Sequence, residues 1–147
     1  MTLVQASRWM QTGSTMIVGF GVLVALGAYP SLNGMIVFLA DMMIWPLDDM
    51  QTGNSSEFKF LAAVGGATMI GWGITLWVLC GRGLREAPEL SKSIIYVSIT
   101  VWFVVDCVGS VFTGAPLNVI GNLGFLAIFL FPLRSIRSST VVTNPIS

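Results

Sequence analysis

Histidine is absent from the 147-residue chain, and only two cysteines are present. Zinc, copper and haem centres draw mainly on His and clustered Cys, so the common metal constellations lack their ligands here. No CxxC, GxxxxGK[ST], GxSxG, HExxH or EF-hand pattern occurs, which leaves the familiar redox, phosphate-binding, hydrolytic and calcium sites without their residues. Charge is the second scarcity. Only 10% of residues are Asp, Glu, Lys or Arg, against about 25% in an average soluble domain. The basic patches that neutralise phosphates are also missing, which argues against nucleic acid as a partner. No metal, no cofactor and no catalytic residue is expected on these grounds.

What the chain does contain is apolar: 54% of its residues are hydrophobic, and its formal net charge is zero. So few charges cannot cover a water-facing surface, whereas lipid sets no penalty on apolar surface. A helix needs about 20 apolar residues to cross a bilayer. Four windows meet or approach that length, at about residues 12–29, 58–80, 93–112 and 117–133. Between the first two lies an apolar stretch, about 34–47, too short to cross; it reads as an interfacial or re-entrant segment closed by Trp45 and Pro46. The expectation is an all-α integral membrane four-helix bundle forming one domain over 1–137, with a loosely ordered polar tail over 138–147.

Positive residues collect on the cytoplasmic side of membrane proteins. Arg8, Arg82, Arg85, Lys92, Arg134 and Arg137 share one side of a four-span arrangement. The other side carries Lys59 among Asp41, Asp48, Asp49 and Glu57. Both termini are therefore expected inside. A rival reading makes the first window a signal peptide, with Arg8 as its charged region and Ala25-Leu26-Gly27 as a cleavage pattern. It would leave an odd number of spans.

Membrane helices associate by close packing of small residues. Ala63, Ala67 and Gly71 recur at four-residue spacing, Ala62 and Gly66 form a neighbouring row, and Gly21, Ala25 and Ala28 offer a matching set in the first window. Aromatic residues form the expected belts, with Tyr29 and Trp45 at the outer interface and Trp9, Trp77 and Tyr96 at the inner one. Trp72 and Trp102 sit near mid-membrane instead, where an indole N–H needs a partner; they either fill the core or line a pocket.

Asp106 is the one charge well inside a window, on a helical stripe with Ser98, Trp102 and Ser110. A carboxylate in hydrocarbon costs at least ~2.5–3.5 kcal/mol on insertion scales, so it should face the interior and find donors. Asn122, with Asn118 one turn above it, reaches nearly the same depth in the fourth window. The short link Thr113-Gly114-Ala115-Pro116 makes these helices antiparallel neighbours. A hydrogen bond between Asp106 and Asn122 follows, with Asp106 either a ligand or proton site or a pin for helix register. Cys80 and Cys107 fall at different depths, too far apart for the roughly 7 Å Cα limit of a disulfide, and two free buried thiols are expected.

Two stretches carry a resemblance. One is Trp45-Pro46-Leu47-Asp48 with the later Gly65-Gly66 and Gly71-Trp72-Gly73. The other runs from Trp102-Phe103-Val104-Val105-Asp106 through Gly114-Ala115-Pro116-Leu117-Asn118 and Asn122 to Phe131-Pro132-Leu133. Over about residues 40–133 the chain resembles an uncharacterised group of bacterial, mostly proteobacterial, four-span inner-membrane proteins. The resemblance implies a multi-pass location in the bacterial cytoplasmic membrane and no particular activity.

Three functions fit this reading in descending order. The first is a non-enzymatic accessory or scaffold component, touching other membrane subunits or itself. The second is a binder of a lipid or small apolar ligand in an outer-leaflet pocket among Trp45, Trp72, Trp102, Asp106 and Asn122. The third is an enzyme or proton-coupled transporter, for which Asp106 would be the only acid or base and no nucleophile–base pair is visible.

Overall fold

The computed structural model describes residues 1–46, 48 and 50–136, and among them the chain is helical with no strand. Helix α1, Leu3–Leu26, begins at a capping box in which the Thr2 hydroxyl accepts from the Gln5 N–H while the Gln5 side chain accepts from the Thr2 N–H. Helix α2 is the short Gly34–Met43. Helix α3, Ser56–Val78, is capped by the Ser55 hydroxyl and continues through a π-helical turn, Leu79–Gly83, into Leu84–Glu86. Helices α4, Pro88–Phe112, and α5, Pro116–Ser135, each open on a proline, where its missing N–H costs nothing. Four of these helices, Leu3–Leu26, Ser56–Glu86, Pro88–Phe112 and Pro116–Ser135, are long and apolar enough to cross a membrane.

The long helices outrun the apolar windows chiefly at one end of the bundle. Helix α1 starts at residue 3 rather than 12, α3 reaches Glu86 rather than 80, and α4 starts at 88 rather than 93. The reason is packing: Ala6, Met10, Cys80, Leu84, Ile95, Ile99, Phe129 and Leu133 are buried together there and form most of the core. Polar residues that end a hydropathy window do not end a helix whose buried face continues. Helix α2 stops at Met43 and buries none of its side chains. Leu47, Asp49, Arg137 and the tail expected over 138–147 lie outside the described residues.

Helices α1 and α3 run antiparallel with their backbones in close approach. A Cβ added at Gly66 would fall 2.6 Å from the Gly21 carbonyl oxygen, and one at Gly21 would fall 2.9 Å from the Ile70 nitrogen. Ala62 and Gly73 are buried along the same seam. Of the residues expected to pack helices, Gly66, Gly21 and Ala25 do so, and Ala63, Ala67 and Gly71 do not. Those three are exposed, and nothing lies within 4 Å of a Cβ built at Gly71. The seam uses the neighbouring row, about 100° around the helix. Helices α4 and α5 form the second antiparallel pair, and α1 joins the pairs by packing on α5, where Gly13 admits Ile128 and Phe129.

Gly114 turns α4 into α5 with a φ of +77°, in the left-handed region, while its carbonyl accepts the Trp45 N–H at 2.8 Å. Any side chain there strains the turn, at about 1–2 kcal/mol. Gly114→Ala should therefore lower the melting temperature of the purified protein, and an unchanged melt would remove this account of the turn.

Candidate functional site

Helical spacing places Ser98, Trp102, Asp106 and Ser110 along one stripe of α4, each a turn from the next. The lower half of that stripe meets α3 and the upper half meets α5. At the α5 side, Asp106 Oδ1 accepts from Asn118 Nδ2 at 2.8 Å, from Asn122 Nδ2 at 2.8 Å and from Ser110 Oγ at 3.1 Å. Asn118 Nδ2 also donates to Ser110 Oγ at 2.8 Å, and Asn122 Nδ2 reaches Cys107 Sγ at 3.7 Å. Asn122 and Ser110 are buried, while Asp106 and Asn118 are half-buried. The contact expected between Asp106 and Asn122 is thus one of three converging on the same oxygen. None of these donors serves Oδ2.

At the α3 side, the Trp72 indole N–H donates to Ser98 Oγ at 2.8 Å. Trp72 and Trp102 lie with ring centroids 5.6 Å apart at 41°, and Trp102 meets Phe125 edge-on at 6.4 Å and 84°. These rings span a gap, since α3 and α4 scarcely approach along their backbones beyond the junction that joins them. The gap is an open groove of about 590 Å³ lined by Trp72, Val97, Ser98, Val101, Trp102, Val105 and Asp106. Its walls are apolar and its polar groups sit in line, which is the usual make-up of a small-ligand site.

Two residues expected in such a pocket stand elsewhere. Trp45 is exposed beyond α2, tied by its N–H to the α4–α5 turn, and Asn122 lies behind Asp106, among the buried residues of α5. The groove instead uses the valines of α4, which sequence reading did not single out. Val97, Val101 and Val105 flank the polar stripe at the same four-residue period, and that is the signal that marks them.

A second polar group, at the other end of the bundle, also escaped notice. Ser7 Oγ donates to the Cys80 carbonyl at 2.6 Å, and Gln11 Nε2 donates to the Trp77 carbonyl at 3.3 Å. Side chains of α1 thus take one carbonyl of the π turn and one just before it. Ser14, also buried, returns its hydroxyl to Met10 of its own helix. The Gly81-x-Gly83 pair before Leu84 was the available sequence cue. Cys80 and Cys107 are both free, and Cys107 is half-buried rather than buried.

Among the described residues no group of three His, Cys, Asp or Glu side chains comes together to hold a metal ion. Comparisons of the chain with protein-family models, with curated proteins and with solved structures give no match.

Proposed function

We propose that this chain is a non-enzymatic multi-pass protein of the bacterial inner membrane whose groove between α3 and α4 holds a lipid or a similar apolar molecule bearing a hydrogen-bonding group. The observation that carries the reading is the pairing of apolar walls with one carboxyl group whose Oδ1 is engaged by α5 while the same side chain lines the groove. An acyl chain would lie along Val97, Val101 and Val105 and against the faces of Trp72 and Trp102. A hydroxyl or amide of the ligand would reach Asp106.

Insertion with both termini inside is supported by charge. Arg8, Arg82, Arg85, Lys92 and Arg134 gather at the end of the bundle that holds the core, opposite Lys59, Asp41, Asp48 and Glu57. The positive-inside rule then makes the core end cytoplasmic and puts α2 at the outer surface. Asp106, nearer the α4–α5 turn, lies in the outer half.

A tryptophan at Val101, exposed on the groove, would obstruct it while leaving every hydrogen-bonding side chain of the Asp106 network in place. Native mass spectrometry of detergent-extracted protein should then show a retained lipid on the wild type and at least a severalfold loss on Val101→Trp. Equal retention on both would remove the groove as the binding place.

The accessory-subunit reading keeps one specific observation in its favour: the uncovered small-residue row Ala63, Ala67 and Gly71 on α3. Such a row allows another helix to approach closely. Co-migration with a larger complex in mild detergent, abolished by Ala67→Leu, is its test, and a monomer unaffected by that change counts against it.

A further inference from the structure

A second cavity, of about 330 Å³, lies at the core end between the start of α4 and the end of α5. Glu89, Lys92, Ser93 and Tyr96 line it from one face of α4, at spacings of three and four, and Leu133 and Arg134 close it from α5. Two cations at one level on adjacent helices repel each other unless an anion lies between them. Lys92 is drawn in until its side chain is only 16% exposed, and its one ion-pair partner among the described residues is Glu89, at 3.1 Å and itself 71% exposed. Arg134 has no carboxylate within ion-pair distance among the described residues. The two cations outweigh the single acid, and the Ser93 and Tyr96 hydroxyls add neutral donors beside them.

We propose that this cavity seats the phosphate of an anionic membrane lipid, held between Lys92 and Arg134. The chemistry is that of a phosphate ester: diffuse negative charge, several acceptor oxygens and an apolar tail leaving past Leu133. Basic pockets between helices at the cytoplasmic level suit such headgroups. Arg134 presents a planar fork to two phosphate oxygens, and Lys92 adds a point charge from the opposite wall. Glu89 sets a limit on affinity, because an incoming phosphate must draw Lys92 from it. The inference rests on the membrane reading above but not on the α3–α4 groove, which lies on the other side of α4.

The test uses the full chain reconstituted from an equimolar mixture of phosphatidylcholine and phosphatidylglycerol, with the lipids retained by the protein counted by native mass spectrometry. Incorporation itself reports on membrane insertion, separately from headgroup preference. The wild type should retain phosphatidylglycerol over phosphatidylcholine, and Arg134→Gln and Lys92→Gln should each weaken that retention about fivefold, the worth of one interfacial cation. Arg85→Gln removes the same charge from the same end of the bundle and should change nothing. If it weakens retention as much as Arg134→Gln, diffuse surface charge binds the lipid and the site is overturned. Arg134 is exposed, so its variant folds whatever the fate of Lys92→Gln, and unchanged retention in Arg134→Gln also overturns the proposal. Inorganic phosphate added in phosphatidylcholine alone separates the two sources of the group. Thermal stabilisation by it as large as that by phosphatidylglycerol would reassign the site to free phosphate, and its absence supports the lipid.

Discussion

Gly66→Ala should lower the stability of the folded bundle by about 1–3 kcal/mol, the usual cost of forcing a carbon into a packed interior, and Gly66→Leu should prevent folding. The added carbon would meet backbone on the facing helix, the Gly21 oxygen and the Ala25 nitrogen, and backbone cannot rotate aside as a flexible side chain does. The only relief is for α1 and α3 to separate, which loosens the whole seam from Ala62 to Gly73. Gly71→Ala supplies the control five residues away on the same helix. Nothing surrounds its added carbon, so the better helix propensity of alanine should leave stability unchanged or raise it by up to about 1 kcal/mol. Thermal melts of the three variants in one detergent decide the matter. Equal melting temperatures for Gly66→Ala and Gly71→Ala would mean that α1 and α3 do not meet as described.

Asp106→Ala is the second large effect, an expected loss of about 1–3 kcal/mol from donors left without an acceptor in a buried setting. The Asn118 and Asn122 amides and the Ser110 hydroxyl all lose their common partner at once. Asp106→Asn keeps an oxygen with two lone pairs for the same donors, so a smaller loss than that of Asp106→Ala is expected. The informative variant is the triple replacement of Asp106, Asn118 and Asn122 by leucine. Of the network only the Ser110 hydroxyl then remains, and a helical serine can bond the carbonyl four residues back, so this protein should melt above Asp106→Ala despite carrying more changes. If Asp106→Ala melts with the wild type, the network contributes nothing to the fold. Its position beside the groove would then be its only role.

The count of the long helices was legible because apolar windows near 20 residues have few other readings. The contact of Asp106 with Asn122 was legible too, from a short turn and the rise per residue, which put both side chains at one depth. Helix rotation was not. Around α3 two small-residue rows, Ala63-Ala67-Gly71 and Ala62-Gly66, stand side by side, and the flanking positions are apolar on every face. A helix that is apolar all round offers no polar face from which to tell inside from outside. The choice is made by the partner, whose Gly21 meets Gly66 and leaves the other row uncovered. The valines of the groove were hidden differently: they flank the polar stripe of α4, but valine is ordinary at a lipid-facing position and gives no sign of a groove. The helix ends were misplaced for the opposite reason: Arg8 and Gln11 lie outside any apolar window, yet Ala6, Ser7 and Met10 beside them are buried. The π turn left only its glycines as a trace.

The seam of α1 with α3 and the hairpin of α4 with α5 are both tight, while α3 faces α4 across bridging rings. Mechanically this is a book, bound along α1 and α5 and pinned at one corner of its fore-edge, where α3 runs on into α4 and Leu84 shares the core with Ile95 and Ile99. Away from that corner, the Trp72-to-Ser98 hydrogen bond and the contact of the Trp72 and Trp102 rings link α3 to α4. The width of the groove between the covers is therefore set by two side chains rather than by packed backbone.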